Sequence, residues 1–126
     1  MKQEDLIREA CIWAAEHGYQ IRRGCLFDWT KPGEDGIPVR SEQPTACDAT
    51  GAVLLKNGLG EKFSKEGMYK GWVADLCKIL DVDGFWLYRF WMGFDRNFQI
   101  LIVVDEKHSK TDETARLGIQ IAKDFV

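Results

Sequence analysis

Residues 81–98, Asp-Val-Asp-Gly-Phe-Trp-Leu-Tyr-Arg-Phe-Trp-Met-Gly-Phe-Asp-Arg-Asn-Phe, hold seven of the chain's fifteen aromatic side chains, more than one helix face accommodates. As a helix the segment places Leu87, Trp91, Phe94 and Phe98 on one stripe and Trp86 and Phe90 on another about 100° away, leaving a narrow polar band around Arg89 and Arg96. Such a helix is either the centre of a fold or a docking surface. It constrains how the chain folds or associates more than what chemistry it performs.

The rest of the composition is that of an ordinary folded domain. At 126 residues, with 45% hydrophobic and 29% charged residues, the chain supports one domain with its own core. A net charge of -3 gives no basic footprint for nucleic acid. The start, Met-Lys-Gln-Glu-Asp-Leu-Ile-Arg-Glu-Ala, reads as an amphipathic helix and lacks the apolar core of a signal peptide, and no run approaches about 18 apolar residues. A cytoplasmic protein with no membrane association is expected. Cys11, Cys25, Cys47 and Cys77 are widely spaced, without a Cys-x-x-Cys or paired-His partner, so reduced thiols packing as small hydrophobes are expected, with no metal and no cofactor.

Caps and periodicity predict about five helices. The first runs from Gln3 to His17, with Leu6, Ile7, Ala10, Cys11 and Ala14 inward, and ends at Gly18. From Tyr19 to Thr30 the pattern turns to β-formers, and Lys-Pro-Gly-Glu-Asp-Gly followed by Ile37-Pro38-Val39 predicts a β-hairpin over about 20–40, with Pro38 on an edge strand. Thr45 is the expected cap of a second helix that carries Ala46, Thr50, Val53 and Leu54 on its buried stripe and stops at Asn57-Gly58. Ser64 is expected to cap a third, with Phe63 and Met68 as a hydrophobic staple and Tyr69, Trp72, Val73, Leu76 and Leu80 inward. Asp83 caps the aromatic helix, joined to the third by a tight turn. Gln99-Ile-Leu-Ile-Val-Val predicts a short strand near 98–104, and Thr111 the cap of a last helix with Leu117, Ile121 and Phe125 inward. The expected fold is α+β and mainly helical, arranged around a central aromatic helix.

Two local patterns bear on function. Cys77-Lys-Ile-Leu-Asp-Val-Asp-Gly-Phe-Trp-Leu-Tyr-Arg89 is similar to the helix-turn-helix pattern of many DNA-binding proteins, with Asp81 where that pattern has its turn glycine. The resemblance implies a DNA reader, yet the helix that would enter the groove offers Gly84, Phe85, Trp86 and Tyr88 where polar or basic residues are needed. The second pattern, Cys47-Asp48-Ala49-Thr50-Gly51-Ala52-Val53-Leu54 with Trp91-Met92-Gly93-Phe94-Asp95 and Ala115-Arg116-Leu117-Gly118, resembles small uncharacterised bacterial and phage proteins. That resemblance implies a largely helical domain and no transferable activity.

Other constellations have bland readings. Gly51 and Gly93 are expected to mark one close approach between the second and fourth helices. Cys47 at a helix N-terminus, with His17 as base and Asp48 as orienting group, is a candidate thiolate nucleophile for a hydrolase or transferase. Gly58-Leu-Gly60 lacks the rest of a phosphate loop. The carboxylate pairs Asp81 with Asp83, Asp105 with Glu106 and Asp112 with Glu113 sit where capping explains them. Arg22, Arg23, Lys31 and Arg40 read as a solvated hairpin face. The balance favours a non-enzymatic interaction domain that binds a protein partner or itself. With Leu87, Trp91 and Phe94 assigned inward, Phe85, Trp86, Tyr88 and Arg89 are the candidate binding residues.

Overall fold

Caps and glycines mark most of the helix ends in this chain, while its strands are too short to leave any hydrophobic pattern. The computed structural model describes residues 2–63, 68–96 and 109–126. Helix α1 (Gln3–Glu16) carries Glu4 and Asp5 in its first turn, where carboxylates favour the positive end of the helix dipole, and buries Ile7, Ala10, Cys11 and Ala14. His17 ends it and Gly18 follows at φ 87°, a left-handed conformation that costs glycine little.

The β residues divide differently from the expected hairpin. Strands β1 (Gln20–Ile21), β2 (Phe27–Asp28) and β5 (Ala46–Cys47) form one sheet in the order β1-β5-β2, with β5 parallel to β1 and antiparallel to β2. Only β3 (Thr30–Pro32) and β4 (Pro38–Arg40) form a hairpin, with Thr30 opposite Arg40 and Pro32 opposite Pro38. Burial explains the division. Ile21, Ala46 and Cys47 lie in the core, whereas every residue of β3 and β4 is exposed. Both hairpin strands are edges, where proline is tolerated.

Helix α2 (Ala49–Lys56) starts later than the sequence indicates, and its cap is Asp48 rather than Thr45. The Asp48 Oδ1 accepts the Gly51 amide at 2.7 Å, while the Asp48 amide donates to the Leu26 carbonyl at 3.1 Å, which keeps Ala46 and Cys47 extended. Thr45 instead donates its hydroxyl to the Thr30 carbonyl at 2.7 Å. A Cβ on Gly51 would overlap the Leu26 carbonyl oxygen and lie 3.0 Å from the Cys47 Cβ. The close approach at Gly51 therefore exists, but its partners are Leu26 and Cys47, not Gly93.

A 3₁₀ turn at Gly60–Lys62 leads to the buried Phe63. Helix α3 (Trp72–Leu80) begins beyond Tyr69, whose hydroxyl donates to Asp75 Oδ2 at 2.7 Å, and it buries Leu76 and Leu80. Met68, the expected staple partner of Phe63, is exposed, whereas Phe63 packs on Phe27 and Tyr69, and the cap assigned to Ser64 lies outside the described residues. Asp81, at φ 54°, turns the chain, and Asp83 caps α4 (Gly84–Phe94) by accepting the Trp86 amide at 2.8 Å, as the sequence indicates. Helix α5 (Ser109–Phe125) starts ahead of Thr111, which lies within it rather than capping it. The strand expected at 98–104 lies outside the described residues.

Helices α4 and α5 cross at backbone distance. A Cβ on Gly93 would overlap the Ala115 carbonyl, and one on Gly118 would overlap the Phe90 carbonyl and lie 2.7 Å from the Phe94 nitrogen. Glycine is needed on both helices because nothing larger fits between them. Phe90, Phe94, Leu87, Ile7, Leu76, Leu80, Val53, Leu54 and Ile121 fill the core beneath. The fold is mainly helical α+β, and among the described residues no helix is long and apolar enough to cross a membrane.

Candidate functional site

Helix α4 divides its aromatic residues between two environments. Leu87, Phe90, Gly93 and Phe94 are buried, whereas Phe85 and Tyr88 are 57% and 51% exposed on the opposite side. Met92 and Arg96 continue that outward stripe at helical spacing. Trp91, expected inward, is only half-buried: its Nε1 donates to Thr50 Oγ1 at 2.9 Å, and its ring lies 5.7 Å from that of Trp72. Polar tips of this kind hold tryptophan at the boundary of a core.

Three of the four candidate residues share the outward surface. The Arg89 guanidinium lies 5.2 Å from the centre of the Phe85 ring, and Tyr88 is one turn from Phe85. Among the described residues, the buried Arg89 Nε has no hydrogen-bond partner. Trp86 is separated from the other three. It stacks on Phe90 with ring centres 5.5 Å apart and faces a depression of about 390 Å³ shared with Gln3, Glu113 and Leu117.

At its C-terminal end the outward stripe opens into a second depression of about 290 Å³, lined by Gly24, Tyr88, Trp91, Met92, Asp95 and Arg96. Asp95 accepts the Gly24 amide at 3.0 Å and is hydrogen-bonded to Asp48, which is almost completely buried behind it. Asp48 is held in turn by the Gly51 amide and by the Thr50 hydroxyl at 2.9 Å, the hydroxyl that accepts from Trp91. Burial first, then the neighbouring Asp95 charge, pushes the Asp48 carboxyl well above the usual carboxylate range. Burial also raises Asp95, opposed by the Gly24 amide, the Asp48 hydrogen bond, Arg96 and Arg23. The proton therefore resides on Asp48, which donates to Asp95.

Sequence reasoning missed this pair. Each residue stands in a conspicuous motif, one after Cys47 and the other after Phe94, but nothing along the chain links two carboxyls so far apart. The signal present was Asp48 immediately before a run of small and apolar residues, where a cap is pulled inside with its helix.

Cys47 is fully buried, and that burial holds its thiol protonated, contrary to what a thiolate nucleophile requires. His17 is engaged locally, with Nδ1 2.7 Å from the Trp13 carbonyl and its ring stacked on Trp13. Cys47 is a packing residue. No group of three or more His, Cys, Asp or Glu among the described residues converges to hold a metal.

The turn between α3 and α4 has the left-handed residue that a helix-turn-helix pattern fills with glycine, here Asp81. The start of the following helix presents Asp83, Phe85 and Tyr88, where DNA contacts call for polar or basic groups. No family model, curated protein or solved structure matches this chain. Two features remain as candidates for function: the outward stripe of α4 and the carboxyl pair under its C-terminal end.

Proposed function

We propose that this protein is a non-enzymatic interaction domain that binds a protein partner through the outward stripe of α4. One observation carries the reading. Phe85 and Tyr88, both more than half exposed, stand one turn apart on a helix whose opposite face is already committed to the core. Folding does not need them there, and Tyr, Met and Arg beside an apolar ring are the residue types that concentrate at interface centres. A cytoplasmic setting suits the four free thiols, and the motif resemblance fits a bacterial or phage source.

Site-specific photo-crosslinking in cells tests it. A photoreactive phenylalanine analogue at position 85 or 88 is expected to give discrete protein adducts. The same analogue at Ile12, which is 49% exposed on α1, is expected to give none. Absence of adducts from both α4 positions ends the proposal. A helix-turn-helix DNA reader is the second reading, favoured by the Asp81 turn. It requires a gel shift at low salt, where counterion release makes any non-specific affinity greatest.

A further inference from the structure

Three arginines flank the outward stripe of α4. Arg89 lies against Phe85, Arg96 lines the depression beside Tyr88, and Arg23 precedes Gly24 on the opposite rim. Among the described residues none of the three forms an ion pair, whereas Arg8 bonds Glu4 and Asp124, and Arg22 bonds Asp28. The carboxylate on this surface, Asp95, is already occupied by the Gly24 amide and by Asp48. Among the described residues Arg89, beside the two exposed rings, thus has no ion pair, whereas Arg23 and Arg96 act on Asp95 and the exposed Asp81 and Asp83 stand at the start of α4.

Arg89 identifies what is missing. A buried guanidinium N–H without an acceptor is unfavourable, and native structures rarely leave one so. The Nε–Nη edge of a guanidinium matches the two oxygens of a carboxylate, the acceptor that the Arg89 Nε lacks. Resting on the interaction reading above, we infer that the partner is an acidic protein segment: an apolar side chain covers Phe85 and Tyr88, and a neighbouring Asp or Glu accepts from Arg89.

Two other occupants fit less well. A second copy docked about a two-fold axis on this stripe would bring like charges together at the arginines, with Asp95 already engaged by Gly24 and Asp48 and with Asp83 engaged by the Trp86 amide. A nucleic-acid strand would gain stacking on the rings and three cations. Its charge repeats at every nucleotide, so it would also run past the exposed Asp81 and Asp83 at the start of α4, which a single carboxylate set on Arg89 avoids.

Selection of random short peptides displayed on phage against the wild-type protein tests the inference. Enriched sequences are expected to combine Asp or Glu with Leu, Phe or Trp. A synthetic peptide of the enriched sequence is expected to lose about tenfold or more in affinity on Arg89→Gln, less on Arg89→Lys, and to weaken with added salt. A thermal midpoint for Arg89→Gln equal to that of the wild type establishes that folding is not the cause. Enriched peptides without acidic residues that still compete at Tyr88 overturn the partner chemistry and leave the interaction reading standing. So does a dimer in sedimentation that Tyr88→Glu dissolves, or an oligothymidine that binds more tightly than the peptide and depends on Arg89. Failure to enrich any peptide at this stripe, together with absent crosslinks from positions 85 and 88, overturns both.

Discussion

The buried carboxyl of Asp48 donates a hydrogen bond to Asp95, tying the first turn of α2 to the end of α4 through two acids that share a proton. Around them stand the neutral thiols of Cys11, Cys25 and Cys47 and the guanidinium groups of Arg23 and Arg96. The pair gives the stability of the protein a definite pH dependence. In the unfolded chain Asp48 ionises near the ordinary carboxylate value of about 4, whereas in the folded protein it stays protonated well above that. Between the two values the folded state binds the extra proton, so stability falls as pH rises, by up to about 1.4 kcal/mol per pH unit. Urea denaturation across this range should show the decline, and Asp48→Asn, which keeps a neutral hydrogen-bonding group, should flatten it. A wild-type midpoint that rises with pH over the same range contradicts the assignment of the proton.

The crossing of α4 and α5 predicts a sharp contrast between glycines. Gly93→Ala or Gly118→Ala must push the helix backbones apart and should cost about 3 kcal/mol or more, at or above the upper end for overpacked sites. Gly84→Ala, where a Cβ meets open space at the start of α4, should be neutral or stabilise by up to about 1 kcal/mol. Denaturation midpoints of the three variants decide this.

The divided aromatic helix predicts that stability and binding separate by residue. Phe90→Ala should destabilise by about 3–5 kcal/mol. Phe85→Ala and Tyr88→Ala should each shift stability by about 0.5 kcal/mol or less while removing partner contacts. Calorimetry on the variants tests the first part, and the crosslinking partner tests the second.

Thiol labelling should follow burial. Cys25 is exposed and should be alkylated first in the native protein, although slowly at neutral pH because desolvation and then the charges of Asp28 and Asp95 raise its thiol. Cys11, pushed up to about 12 by burial, and Cys47 should react only on unfolding. Mass spectrometry of a timed iodoacetamide reaction reads the order directly, and rapid labelling of Cys47 in the folded protein would return it to the list of nucleophiles.

Features whose causes are local were legible in the sequence. The end of α1 at Gly18 and the start of α4 at Asp83 follow from residues that bond their immediate neighbours. The mainly helical α+β class followed from the same reasoning. What was not legible depends on distant partners. Two-residue strands such as Ala46–Cys47 carry no periodicity and are decided by pairing with Gln20–Ile21 and Phe27–Asp28. Gly93 advertised a close approach, but the helix that approaches is α5, because small residues at 115 and 118 lie opposite it. Phe90, placed on a separate stripe from Phe94, is buried together with it because α4 packs through a broad face rather than a narrow seam. The outward exposure of Phe85 and Tyr88 was legible in the spacing of α4. Trp86, the fourth candidate residue, stacks on Phe90 and so lies on the other flank of the helix, a separation that depends on packing rather than on sequence spacing.

The hairpin of β3 and β4 has a practical use as an attachment point. Its strands pair with each other, all their residues face solvent, and the Ser41 amide bonded to the Trp29 carbonyl at 2.6 Å closes its base. Its tip, from Gly33 to Gly36, can therefore carry an inserted epitope or fluorophore sequence without disturbing the helices. A reporter can thus be mounted on this protein while the outward stripe of α4 keeps its native sequence.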